Sequence, residues 1–73
     1  MPIFAERIKE LRKNINKTQR DVAYDLDMTE SGYKNYELSN REPSHETTVK
    51  IADYFDVSVD YLLGRTDNPK FQK

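Results

Sequence analysis

The sequence predicts an all-α domain of five short helices, with the second and third joined as a helix-turn-helix. Three observations carry this. Between Thr18 and Glu37, in TQRDVAYDLDMTESGYKNYE, two helical patterns meet across only Asp27-Met28-Thr29. Helices joined this tightly cannot lie antiparallel and must cross steeply. Small hydroxyl residues, Thr18, Thr29, Ser44 and Ser58, stand at the heads of four helical patterns, where they can accept from orphan backbone amides. No strand-like alternation persists, and every link is short.

Phe4, Ile8, Leu11 and Ile15 fall at i, i+4, i+7 and i+11, one apolar stripe of a first helix. Glu6, Lys9, Glu10 and Lys13 fill its wet face, and Asn14 to Lys17 reads as a link. Thr18 caps the second helix, with Asp21 reaching back as the third residue of a capping box. Val22, Ala23 and Leu26 are its buried side. Thr29 caps the third, and Met28 and Tyr33 are spaced as a hydrophobic staple. Tyr33 and Tyr36 form the inward face of that helix. Leu38 to Pro43 is a loop closed by the proline. Ser44 caps a fourth helix with Val49, Ile51, Ala52 and Phe55 as apolar positions. Ser58 caps a short fifth, with Val57 and Leu62 as a second staple and Gly64 just past its end. Residues 1–67 form the domain, and residues 68–73 read as a loose polar tail.

The 73 residues are enough for one domain and one small core, not for a deep substrate cavity. The chain has no cysteine, so no disulfide or thiolate metal site exists. His45 is the lone histidine and lacks a second nitrogen or sulfur ligand for zinc. The carboxylate pairs Asp21–Asp25 and Asp53–Asp56 read as solvated helix faces. No nucleophile and base can be composed into a catalytic set, so no enzyme, metal or cofactor is expected. Charges close to the start argue against a secretory signal. No apolar run approaches the roughly 20 residues needed to span a bilayer, and a cytoplasmic protein is expected. Net charge is −1. Residues 1–41 hold eight basic and seven acidic side chains, residues 42–73 four and six. That balance decides neither for nor against a nucleic-acid partner.

RIKELR in the first helix, TQRDVA in the second, and NYELSNREPSHETTVKIADYFDVSVDYLLG through the last helices resemble the phage-repressor and Cro type of helix-turn-helix domain, the XRE family. The resemblance covers roughly residues 4–67. It implies the five-helix lambda-repressor-like fold and a transcription regulator that binds double-stranded operator DNA as a homodimer. By that likeness Ala23 marks the close crossing of helices two and three. Gln19, assisted by Thr18, grips a phosphate at the helix N-terminus. Glu30, Ser31, Lys34 and Asn35 face the major groove. Asn35 suits an adenine edge, and Lys34 suits a guanine or a phosphate. Glu30 can accept from cytosine but is repelled by phosphate, so it is a discriminator rather than a source of affinity. Asn40 and Arg41 follow the DNA backbone. Arg12 and Glu37 match a buried ion pair. Helix five and the tail, with Tyr61, Leu62 and Phe71, are the implied dimer surface.

Two positions depart from the family pattern. Asp27 stands where a turn glycine is usual, at a cost of roughly 1 kcal/mol in left-handed backbone. Gly32 lies inside the third helix, where it either loosens the helix or lets its backbone approach DNA closely. Tyr24 lies on the outer side of the second helix as an idle residue or a backbone contact, and Tyr61 suits core or dimer packing equally. The competing function is a protein-interaction module on the same fold, such as an antagonist of another regulator; the weak basic character and Glu30 favour it. No small-molecule ligand or membrane partner is indicated.

Overall fold

A computed structural model describes residues 2–70. Its elements are α1 (Pro2–Asn14), α2 (Gln19–Asp25), α3 (Glu30–Glu37), α4 (His45–Phe55) and α5 (Val59–Leu62). The five expected helices are all present, and no strand occurs among the described residues. The helix heads follow from local chemistry. The hydroxyls of Thr18, Thr29, Ser44 and Ser58 accept from the amides of Asp21, Gly32, Thr47 and Tyr61. Asp21 completes the capping box by accepting from Thr18 N at 3.0 Å.

The helix ends share one closure. At the end of α2, Asp27 N donates to Tyr24 O and Met28 N to Ala23 O. The same pair of bonds ends α1 at Asn16 and Lys17, α3 at Ser39 and Asn40, α4 at Asp56 and Val57, and α5 at Gly64 and Arg65. It requires a left-handed residue, and Asn16, Asp27, Ser39, Asp56 and Gly64 have φ of 57°, 58°, 62°, 58° and 82°. Gly64 is held to glycine for a second reason, since a Cβ there would stand 3.1 Å from Ile3 of α1.

Phe4 and Ile8 of α1, Val22, Ala23 and Leu26 of α2 and its cap, Tyr33 and Tyr36 of α3, Ile51 and Ala52 of α4, and Val57 and Leu62 form the core. α2 and α3 make the most extensive contact, and α1 backs both α3 and α5. Two apolar positions depart from expectation. Ile15 is not the last rung of the α1 stripe: the helix ends at Asn14, and Ile15 lies in the closure, largely exposed. Val49 also faces outward. Thr48 takes the core side of α4, because it stands three and four residues before Ile51 and Ala52. Its hydroxyl donates to Ser44 O at 2.9 Å, so burial leaves no polar group unmet.

α5 is clamped to α1 by Arg7. The guanidinium donates to the carbonyls of Tyr61 and Thr66 and to Asp67 Oδ1, and lies 4.1 Å above the Tyr61 ring. Past Asp67 the chain continues on a defined path, with Pro69 O accepting from Ser58 N at 2.9 Å. Pro69, in the expected loose tail, is thereby tied to the head of α5.

Candidate nucleic-acid interface

α3 has two chemically distinct sides. Tyr33, Tyr36 and Glu37 are buried, while Glu30, Ser31 and Lys34 are exposed and Asn35 is half-buried. Ser31, Lys34 and Asn35 share one face at i, i+3 and i+4, with Glu30 at its N-terminal edge. Gly32 lies beside them, and space explains part of its presence. A Cβ there would stand 3.0 Å from Thr29 Oγ1, the atom that caps the helix by accepting from Gly32 N. At the other end, Asn40 N closes the helix on Asn35 O at 3.0 Å. The backbone amide of Asn40 is thus engaged, while its side chain and that of Arg41 are exposed.

The head of α2 is tied to the end of α3 by a buried carboxylate. Glu37 Oε2 and Oε1 accept from Arg12 Nε at 2.7 Å and Nη2 at 3.0 Å, a bidentate pair. The Glu37 side chain is 1% exposed and that of Arg12 12%. Arg12 Nη1 also donates to Lys17 O at 2.9 Å, just before the Thr18 cap. Gln19 Nε2 donates to Glu37 Oε1 at 3.1 Å. One group therefore joins α1, the α1–α2 link, α2 and α3. The half-buried Gln19 keeps one amide N–H and its carbonyl for other partners.

Burial alone would raise the Glu37 carboxyl. Its hydrogen-bond donors, Arg12 foremost, outweigh that and hold it below the ordinary carboxylate range. Arg12 is raised in turn by its bond to Glu37. The buried Tyr33 hydroxyl meets no acceptor at hydrogen-bond geometry among the described residues. Burial first, then the nearby Glu37 carboxylate, push that phenol far above its usual range.

A second tie was not visible in the sequence. Asp25 Oδ2 accepts from Lys17 Nζ at 2.6 Å and from the Tyr54 hydroxyl, joining the α1–α2 link, α2 and α4. Asp21 and Asp25 are therefore a cap and a bridge rather than a bare solvated pair. Tyr24 is 84% exposed. Arg20 escaped sequence reasoning: it is exposed beside Gln19. Like Lys34 and Arg41, it has no ion-pair partner among the described residues.

The helix-five surface needs correction. Leu62 is fully buried in the core and offers nothing to a second protomer. Its place as the staple partner of Val57 turns it inward. Tyr61 is half-buried with its ring against Arg7. Phe71 lies outside the described residues. The described residues hold no cluster of three metal-ligating side chains, and no helix long and apolar enough to cross a membrane.

Comparison with known proteins accords with this architecture. A family model described as a helix-turn-helix domain matches residues 5–68. The uncharacterized HTH-type transcriptional regulator YqaE of Bacillus subtilis is 41% identical over 93% of this chain and 59% of its own length. The cryptic phage CTXphi transcriptional repressor RstR of Vibrio cholerae is 43% identical over 82% of this chain and 54% of its own. The HTH-type transcriptional regulator ImmR of Bacillus subtilis is 35% identical over 92% of this chain and 53% of its own. The chain thus spans little more than half the length of these relatives. No solved structure gives a significant match. On its sequence match and its five-helix architecture, the chain belongs to the helix-turn-helix family of the phage-repressor and Cro type, the XRE family.

Proposed function

We propose that the chain is a sequence-specific DNA-binding transcription regulator, a repressor that lays α3 in the major groove of a near-palindromic operator and binds it as a dimer. The observation that carries this is the two-sided α3. Its tyrosine side is locked in the core, and a polar face of Glu30, Ser31, Lys34 and Asn35 stands outward on a helix pinned by Glu37. The names of the relatives, transcriptional regulators and a phage repressor, support the reading. In it Ser31, Lys34 and Asn35 read base edges, and Glu30 rejects sites that set a phosphate against it. Thr18, Gln19, Asn40 and Arg41 hold the backbone. Two such helices about 34 Å apart would read the two half-sites.

Selection of bound fragments from genomic DNA tests the reading directly, and an enriched near-palindrome is the expected result. Lys34→Ala then separates its two roles. A flatter salt dependence marks a phosphate contact, and relaxed choice at one base pair marks a guanine contact. No change in either removes Lys34 from the interface.

A second reading has its own observation. The net charge of −1 and the exposed Glu30 at the head of α3 favour a protein-binding module on the same fold. Capture of a protein partner that is insensitive to salt, with no retention on DNA, would support it.

A further inference from the structure

The outward face of α3 carries one apolar side chain. Leu38 follows Glu37, the last residue of the helix, yet it keeps a right-handed backbone at φ −86° and ψ −3°. Its amide donates to Lys34 O at 3.0 Å, as a further helical residue would. The side chain therefore continues the helical spacing. Seven residues bring it back to within about 20° of Ser31, and it stands four after Lys34 and three after Asn35. Leu38 is 52% exposed. The other large apolar side chains that stand exposed among the described residues, Ile15, Tyr24, Val49 and Leu63, belong to other parts of the chain.

Leu38 is also held in place. The chain turns directly after it through left-handed Ser39, and the closing bonds, Ser39 N to Tyr36 O and Asn40 N to Asn35 O, span it. Glu37 before it is fixed by Arg12 and Gln19. An aliphatic side chain gains free energy only by leaving water against another apolar group. Among the features that base edges present in the major groove, the apolar one is the thymine C5-methyl.

We infer, on the strength of the DNA reading of α3, that Leu38 reads a thymine through that methyl and is a further specificity-determining residue of the interface. A cytosine in its place would present an amino donor that leucine leaves unpaired. Leu38 lies about 4.5 Å along the helix axis from Asn35, and base pairs are about 3.4 Å apart. With α3 along the groove, the thymine lies one or two base pairs from the adenine that Asn35 takes.

The test uses the full chain, the duplex most enriched in selection from genomic DNA, and copies of it with single thymines replaced by deoxyuridine. The exchange keeps the pairing with adenine and removes only the methyl. For the unmodified chain, one such exchange in each half-site should weaken binding about fourfold. It should lie one or two base pairs from the position whose base choice Asn35→Ala relaxes. Leu38→Ala should bind the thymine and deoxyuridine duplexes equally, while Leu38→Met, which keeps an apolar chain, should still prefer thymine. Circular dichroism checks that both variants keep their helices. If every deoxyuridine copy binds the unmodified chain as tightly as the parent duplex, the inference is overturned and the DNA reading stands. A methyl effect that persists in Leu38→Ala would overturn it too, because another side chain then reads the methyl. A chain that retains no duplex at all fails earlier, at the DNA reading itself, and the inference falls with it.

Discussion

Ser39 holds a left-handed backbone at φ 62° with a side chain that gives that region little support. Its conformation is imposed by the closure of α3, which needs Ser39 N on Tyr36 O and Asn40 N on Asn35 O. Glycine adopts the same backbone without the Cβ penalty but gains freedom in the unfolded chain, and the first effect is the larger. Ser39→Gly should therefore stabilise the domain by about 0.5–1 kcal/mol, read as a higher urea midpoint at unchanged slope. Glu37 is the opposite case, a residue whose loss strands a charge. Glu37→Ala leaves the Arg12 guanidinium, 12% exposed, without its carboxylate. It should destabilise by about 3 kcal/mol, more than Glu42→Ala, whose position is exposed. Equal losses in thermal melts would remove the buried pair from the account. The same carboxylate sets a pH dependence. Its folded value lies below the ordinary 4.5, so the unfolded chain takes up the proton first. The stabilisation is then complete above the ordinary value and is lost as pH falls through the lower, folded one. Glu37→Gln should flatten this acid limb of the stability curve.

At the scale of the element, the links repeat. Asn16-Lys17-Thr18, Asp27-Met28-Thr29 and Asp56-Val57-Ser58 each place a left-handed residue, one spacer and a hydroxyl cap between two helices. The helix heads were legible in the sequence because a cap acts on amides only three residues away. The helix ends were half legible. Gly64 and Asp27 announced theirs, but Asn16, Ser39 and Asp56 occupy the same conformation with residues that serve many other purposes. Where the apolar stripe ran into such a closure, at Ile15, the period misled. At Val49 it misled because Thr48 buries its methyl while bonding its hydroxyl back to Ser44. The outward side of α3 followed from the two tyrosines on its inward side. The engagement of Gln19 with Glu37 did not, since nothing local links residues 18 apart. Arg7 was the least legible, reaching residues more than 50 positions away. Its clamp joins α1 to the end of α5 by charge-assisted bonds and by the Tyr61 ring. Arg7→Ala should speed hydrogen exchange at the Gly64 and Arg65 amides, which close α5, and leave exchange in α3 unchanged. Equal acceleration in both would mean global destabilisation and no local clamp.

The whole molecule carries 12 basic and 13 acidic residues, so a DNA-binding role rests on where the charges lie rather than on their sum. Arg7, Arg12 and Lys17 are held by Asp67, Glu37 and Asp25, and Lys50 by a backbone carbonyl. These cations are committed to the fold and release no counterions on binding. Of the proposed contacts, Lys34 and Arg41 are the cations that remain exposed without an ion-pair partner among the described residues. Two phosphates neutralised per domain give a slope of log affinity against log salt of about −1.8, and two domains on one operator about −3.6. The slope therefore counts domains as well as contacts, and fluorescence anisotropy over a salt series on a selected operator measures it. Arg41→Ala should flatten it by about 0.9 per bound domain. A slope near the larger figure, halved on an isolated half-site, accords with two domains reading two half-sites. A steeper one brings in exposed Arg20, beside Gln19, as a third contact, which Arg20→Ala would then remove. A slope near zero would leave the DNA reading without its electrostatic part, because a domain this small has no other large source of affinity for a phosphate backbone.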